Sequence, residues 1–255
     1  MKSVVLGGST GTGAAIVRAL SGEGNFVAAF HRGRHPEDAA QVAKDCGGRA
    51  FLVAQDAGST YEDVQACLDT APSNHPPFIH TFVHALSGAS VGTTLAQTPE
   101  KIERTFNLMA HSFLWWAQGL HERKLLAPNA ALIALSNPVV HHYLSGAGVI
   151  GPAKAALEAY VKSLAVELGR FGHRVFALRF GAVQTPALDK VTGGDVSALH
   201  FYISPYRRMM QADDVARFVK LLAENPEASM ALNGAVVDFD TGSTLTLLDY
   251  AFGKR

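Results

Sequence analysis

Cysteine is nearly absent from this 255-residue chain, which has only Cys46 and Cys67, both in segments that read as helical and without a Cys-x-x-Cys or histidine pattern around them. That scarcity excludes a disulfide scaffold and a structural zinc site, and predicts buried, reduced thiols suited to a cytoplasmic setting. An excess of one charge is also missing, because 22 Lys and Arg balance 22 Asp and Glu. With no basic stripe to follow a phosphate backbone, nucleic acid is not an expected partner. No uncharged apolar run of about 18 residues exists to span a bilayer, and Ser3 to Leu6 is too short for the apolar part of a secretory leader, so no membrane association is expected. No Pro/Ser-rich linker divides the chain, and the 48% hydrophobic content suffices for a large core. A single α/β domain over residues 1–255 is the expectation.

Glycine, by contrast, is concentrated where the chain first turns. The apolar run Val4-Val5-Leu6 ends in Gly7-Gly8-Ser9-Thr10-Gly11-Thr12-Gly13, followed by Ala14-Ala15-Ile16-Val17. Strand, glycine turn and helix in that order predict a nucleotide site. Gly7 permits a tight reversal, Gly11 lets backbone N–H groups approach a diphosphate, and Gly13 lets helix and strand pack closely. The helix N-terminus offers unsatisfied donors and partial positive charge to the phosphates, beside the hydroxyls of Ser9, Thr10 and Thr12. No Gly-Lys-Ser/Thr follows, which excludes a P-loop.

The second apolar run, Phe26 to Phe30, leads into His31-Arg32-Gly33-Arg34. An acid about 20 residues past the turn would mark a free ribose 2′-hydroxyl. None is present. Arg32, with His31 and Arg34 beside it, suits a 2′-phosphate, which favours NADP(H) over NAD(H).

A helix from Glu37 to Cys46 precedes a strand from Ala50 to Ala54, and Asp56 ends it, either to accept from an adenine amino group or to cap the turn. Ser59-Thr60-Tyr61-Glu62 reads as a capping box opening a helix that Pro72 to Pro77 closes. Phe78 to His84 is the fourth strand; its two histidines stand about 13 Å apart, too far to share a metal. Thr98-Pro99-Glu100 opens a long helix to Arg123 whose apolar residues, Phe106, Leu108, Met109, Phe113, Leu114, Trp115 and Trp116, wrap around more than one face. Burial by both the sheet and another subunit is expected, hence a homodimer or homotetramer. Strands at Ala130 to Leu135, Val175 to Phe180 and Ala235 to Phe239, with helices at Gly151 to Gly169 and Ala212 to Ala223, complete the pattern. It predicts a doubly wound, mostly parallel, seven-stranded Rossmann-type sheet.

With these pieces together, the chain resembles the short-chain dehydrogenase/reductases over nearly its whole length. Leu6-Gly7-x-x-x-Gly11-Thr12-Gly13 is similar to the family's phosphate turn, and Asp56 stands where its adenine-contacting acid stands. Lys154-Ala155-Ala156-Leu157-Glu158 resembles the helix after the active tyrosine, and Phe180-Gly181-Ala182-Val183-Gln184-Thr185-Pro186 its late cofactor segment. Val83-His84-Ala85-Leu86-Ser87 is closer to the divergent enoyl-acyl-carrier-protein reductases. The resemblance implies cofactor contacts from Gly7, Ser9, Thr10, Gly11, Thr12 and Gly13, then from His31, Arg32, Asp56, Ala57, His84 and Ala85, and finally from Lys154, Gly181, Val183 and Thr185. The segment 187–210 resembles the family's substrate lid, with apolar lining suited to an acyl or carbonyl substrate and weaker site candidates in Tyr202 and Tyr206.

The family's chemistry needs a phenol about a helical turn before the lysine. Here Ile150 and Ala147 occupy the tyrosine positions of the two branches, and neither donates a proton. Asn137 falls at the family's serine, beside Ser136, and Met109 falls where a helix asparagine is expected, with Asn107 two residues away. Lys154 either bonds the ribose hydroxyls only or also places positive charge on a reacting oxygen. Asn137 either donates to a substrate carbonyl or shapes the turn before Pro138. Tyr143, on the loop over the site, either replaces the phenol or is a surface aromatic. Two functions stay open. One is an NADP(H)-dependent oxidoreductase with altered acid–base machinery acting on an apolar small molecule. The other is a non-redox protein of the same fold, either a nucleotide sensor or a lyase-like enzyme.

Overall fold

Runs rich in Val, Ala, Phe and Ile form the strands of one parallel sheet in the computed structural model, which describes residues 1–70, 79–88, 90–196, 204–246 and 253. The strands are β1 Lys2–Leu6, β2 Phe26–His31, β3 Ala50–Ala54, β4 Ile79–His84, β5 Leu126–Ser136, β6 Arg174–Phe180 and β7 Val236–Phe239. Their order is β3-β2-β1-β4-β5-β6-β7, every neighbouring pair is parallel, and β1 and β4 meet at the switch point. Parallel neighbours need crossovers, and these place helices on both faces.

The helices are α1 Gly11–Leu20, α2 Pro36–Asp45, α3 Tyr61–Thr70, α4 Pro99–Phe106, α5 Ser112–Glu122, α6 Ile150–Gly169, α7 Pro186–Thr192, α8 Ala212–Glu224 and α9 Pro226–Met230. One core joins Val5, Ile16, Val42, Ile133 and Val219 beneath α1, α2 and α8. The other joins Phe82, Cys67, Phe113, Trp116 and Leu157 beneath α3, α5 and α6. Phe82 stacks on Phe113 at 5.9 Å and on Trp116 at 5.6 Å. Each such ring contributes roughly 1.5–3 kcal/mol of transfer free energy. Both cysteines are buried and unbonded to one another. No helix among the described residues is long and apolar enough to cross a membrane.

Several local expectations are corrected. The helix expected from Thr98 to Arg123 is interrupted by a π-helical turn, Asn107–His111, between α4 and α5. Such a turn is not visible in a 3.6-residue pattern, because its extra residue is stabilised by packing around it. Its start matches expectation, with Thr98 accepting from Lys101 N and Pro99 in the first turn. The cap of α3 lies one residue later than Ser59: Thr60 Oγ1 accepts from Asp63 N while Asp63 accepts from Thr60 N, each at 3.1 Å. Ser59 is instead held by Asp56. The fifth strand starts at Leu126, before the expected Ala130, and its register with β4 shifts between Ile79 and Thr81. Asn129, at φ 57, lies between the two differently paired residues Leu126 and Ala131. The expected strand residue Phe78, the closing turn Pro72 to Pro77, and residues 197–203 of the expected lid, with Tyr202, lie outside the described residues.

Candidate functional site

The β1–α1 turn is cramped in ways that select glycine. Gly7, at φ 79, sits so close to the segment after β4 that a Cβ would stand 2.7 Å from Ala85 O. A Cβ on Gly13 would stand 2.0 Å from Gly7 O, so only glycine lets α1 start there. Gly11, at φ 53, faces Thr185 across the turn, its virtual Cβ 3.2 Å from Thr185 Cγ2. Thr10 caps α1 by backbone geometry alone, with no side-chain capping bond. Gly7, Gly11, Gly13, Ala85 and Thr185 thus meet around one helix N-terminus, the geometry that accepts a phosphate group.

At the end of β2, His31 is buried and its Nδ1 accepts from Gly33 N at 3.2 Å. Burial holds its pKa below the ordinary range, so the ring is neutral. Arg32 is half-buried, and its Nη1 is buried without a hydrogen-bond partner. Asp56 performs the capping role, accepting from Gly58 N at 3.1 Å and, at 3.0 and 2.7 Å, from Ser59 N and Oγ. Ala57 is buried, and its carbonyl accepts from Trp116 Nε1 at 2.9 Å.

Toward the middle of the edge, His84 is fully buried, with Nε2 2.8 Å from Ser112 Oγ and Nδ1 unpartnered. Burial first, and then the charge of Lys154, keep it neutral. Lys154 is only 4% exposed, and its ammonium donates to Leu135 O at 2.7 Å. Burial lowers its pKa to about 8, with Glu158 opposing the shift. Asn137 is extended at φ −150 and ψ 163, as a residue before proline must be. Its Oδ1 is nonetheless buried and has no hydrogen-bond partner among the described residues.

The tyrosine positions are filled by core. Ile150 and Ala147 are both buried in the cluster that holds Leu157 and Phe113. The loop around them is clipped from above: Gly148 N donates to Gly92 O at 3.0 Å and Thr94 Oγ1 to Gly148 O at 2.9 Å. A Cβ on Gly146 would stand 2.1 Å from Val191 O, so α7 packs against the same loop. Tyr143 and Tyr206 are 76% and 73% exposed and, among the described residues, make no hydrogen bond in the site. After β6, Gly181 N donates to Phe239 O at 3.3 Å, Val183 bridges to Met210, and Thr185 caps α7 through Leu188 N.

Sequence reasoning missed a buried charge network behind Lys154. Glu158 accepts from Ser136 Oγ at 2.6 Å and from Arg179 Nε and Nη2 at 3.1 and 2.8 Å, while Arg179 Nη1 donates to Asp238 at 2.8 Å. An arginine inside an apolar strand and a glutamate one turn after Lys154 were the available signals, because unpaired charges are not left in such places. The His84–Ser112 bond left no such trace, since the π turn decides where Ser112 points.

Known proteins match this architecture. A family model described as enoyl-(acyl carrier protein) reductase matches residues 7–244. The enoyl-acyl-carrier-protein reductase (NADH) FabI of Escherichia coli is 28% identical over 220 residues, 86% of this chain and 81% of that protein. The 1-cyclohexenylcarbonyl-CoA reductase of Streptomyces collinus is 25% identical over 189 residues, 73% of this chain and 66% of that protein. Among solved structures, a short chain dehydrogenase from Burkholderia cenocepacia, in complex with NADP, superposes with a TM-score of 0.82 at 22% identity, covering 95% of this chain and 97% of that one. The glycine turn, the sheet order and the family match over residues 7–244 lead to one conclusion: the chain belongs to the short-chain dehydrogenase/reductase family.

Proposed function

We propose that the protein is an NADP(H)-dependent oxidoreductase that reduces an apolar enoyl or carbonyl substrate with altered acid–base machinery. The observation that carries this reading is the position of three buried, unpartnered side-chain atoms, Arg32 Nη1, His84 Nδ1 and Asn137 Oδ1, at the carboxyl ends of β2, β4 and β5. Buried polar atoms without partners are costly, and three on the ligand edge of an open parallel sheet are supported by a ligand that satisfies them. The glycine cradle fits a dinucleotide, with the diphosphate on the α1 N-terminus and the 2′-phosphate on Arg32. When bound, the nicotinamide supplies the hydride.

The chain's own residues do the rest. Lys154 holds the ribose hydroxyls and, at a pKa of about 8, carries a proton at neutral pH that it can give to the reduced substrate. Asn137 positions the substrate carbonyl, since turning its amide exchanges acceptor for donor at the orphaned position. Names of the relatives favour an enoyl thioester among the apolar substrates.

The test is NADPH oxidation against enoyl thioesters, enones, quinones and aldehydes, in wild type, Asn137→Ala and Tyr143→Phe. Turnover of an enoyl thioester is expected, with Asn137→Ala lowering it about tenfold to a hundredfold, a loss of the size expected when a positioned donor is removed. Tyr143→Phe is expected to stay within about twofold of wild type; a loss above roughly tenfold would move proton donation to this loop. Tight NADPH binding with no turnover across the panel would favour the non-redox reading, to which the buried Ile150 and Ala147 lend support.

Assembly is part of the same reading. On α6, Ala155, Ala159, Ser163 and Val166 are exposed at intervals of four and three residues, one face of a helix. Trp115 and Leu114 on α5 are partly buried beside that helix's core. Light scattering at micromolar concentration is expected to return a dimer or tetramer; a monomer would remove this expectation.

A further inference from the structure

Strand β7 runs into Asp240-Thr241-Gly242-Ser243-Thr244, at the carboxyl edge of the sheet that carries the candidate site. Thr241 stands at φ 59, and a β-branched residue in that left-handed region is a conformational outlier. Such outliers persist only where the surroundings hold them, and they gather at functional sites. Here the holder is Asp240, 9% exposed, whose carboxylate accepts from Gly242 N and Thr244 N, each at 2.9 Å, and from the Thr244 hydroxyl.

Glycine would meet the backbone demand at position 241 without strain, as Gly242 does one residue later at φ 77. Threonine adds a hydroxyl that two neighbours use. Thr241 Oγ1 donates its hydrogen to Asp240 O at 2.6 Å, so in its 3.0 Å contact with the Ser204 hydroxyl it is Ser204 that donates. Ser204 is 3% exposed and 37 residues away, at the start of the arm 204–210 that returns from the segment resembling the family's lid. Pro205 fits over the same turn, since a Cβ on Gly242 would stand 3.4 Å from Pro205 Cγ. The other end of the arm is fixed as well, because Met210 bridges to Val183. Beside Val183, a Cβ on Gly181 would stand 3.1 Å from Asp240 Cβ. The arm and the late cofactor segment are thus seated on one turn.

We propose that Thr241 is a positioning residue of the substrate site: its hydroxyl is a latch that, through Ser204, holds the arm 204–210 in register with the segment 180–185. The inference rests on the oxidoreductase reading for the ligands these segments serve. It deepens that reading by assigning a residue outside the glycine cradle that acts on the substrate through the arm.

The experiment times trypsin cleavage after Arg207 and Arg208, both exposed on the arm, by mass spectrometry in wild type, Ser204→Ala, Thr241→Gly and Thr241→Ser. Thermal unfolding, NADPH titration and steady-state kinetics on an enoyl thioester accompany it. Ser204→Ala and Thr241→Gly are each expected to speed cleavage about threefold to tenfold, the factor for one lost hydrogen bond when cleavage follows the open population. Their melting temperatures are expected to stay within about 3 °C of wild type. KM is expected to rise by a similar factor while kcat and NADPH affinity hold within about twofold, and Thr241→Ser, which keeps the hydroxyl, is expected to match wild type. Faster cleavage in Thr241→Gly but not in Ser204→Ala would overturn the latch, because the backbone at 241 and not the hydroxyl pair would then hold the arm. Unchanged cleavage in both variants, or faster cleavage with KM unmoved, would overturn it too. A wild type that neither binds NADPH nor turns over would overturn the oxidoreductase reading, while the cleavage rates still decide whether Thr241 holds the arm.

Discussion

Turnover is expected to fall by about a hundredfold to ten-thousandfold when Lys154 is replaced by methionine, the range for loss of a positioned proton donor. Methionine keeps the length and apolar stem of the side chain, so the packing between α6 and β5 is largely retained while the ammonium and its bond to Leu135 O are lost. The pH profile gives the sharper test. Burial pushes the Lys154 ammonium down to about 8, against the partial opposition of Glu158. With the protonated form as the proposed donor, kcat is expected to be level below about pH 7 and to fall about tenfold per pH unit above about pH 9. Stability runs the other way. A lysine with a depressed native pKa binds fewer protons folded than unfolded between about 8 and its ordinary value of 10.5, so its contribution makes stability rise with pH across that window. Activity falling while melting temperature holds or rises would identify Lys154 as the titrating group. A kcat that stays level to pH 10 would exclude it as the donor.

The largest stability effect is expected behind the site, where Glu158 and Arg179 form a buried ion pair whose side chains are 8% and 10% exposed. Glu158→Leu strands the Nε and Nη2 donors of Arg179 together with the Ser136 hydroxyl, and Asp238, 65% exposed, compensates poorly from the far side. Removing one partner of a buried pair costs about 3–5 kcal/mol, of the order of 10 °C in melting temperature for a chain this size. The double variant Glu158→Leu/Arg179→Met removes both charges and is expected to recover most of that loss. Thermal unfolding of the single and double variants decides the matter, and a double variant no more stable than Glu158→Leu would show that the pair is needed for packing rather than for charge balance. Ser136 precedes Asn137, and the carbonyl that Lys154 bonds belongs to Leu135. The single variant is therefore also expected to raise KM through a displaced Asn137.

The parallel sheet, the glycine turn and the edge carrying Gly7, Arg32, Asp56, His84, Asn137 and Gly181 were determined by the amino-acid sequence alone. The reason is physical: apolar runs of strand length, glycines at fixed spacing and caps such as Thr98-Pro99 act through neighbours close in the chain. The absence of a phenol near Lys154 was legible too, because Ile150 and Ala147 cannot donate a proton in any environment. The tertiary structure decided what depends on residues far apart in sequence. It placed Asp56 on its own turn rather than leaving it free, left Tyr143 in solvent, and inserted the π turn that carries Ser112 to His84. It also paired Glu158 with Arg179, 21 residues away. Local propensity carries no record of such contacts, since a buried charge is tolerated only where the fold supplies its partner, and that partner is chosen by packing across the sheet.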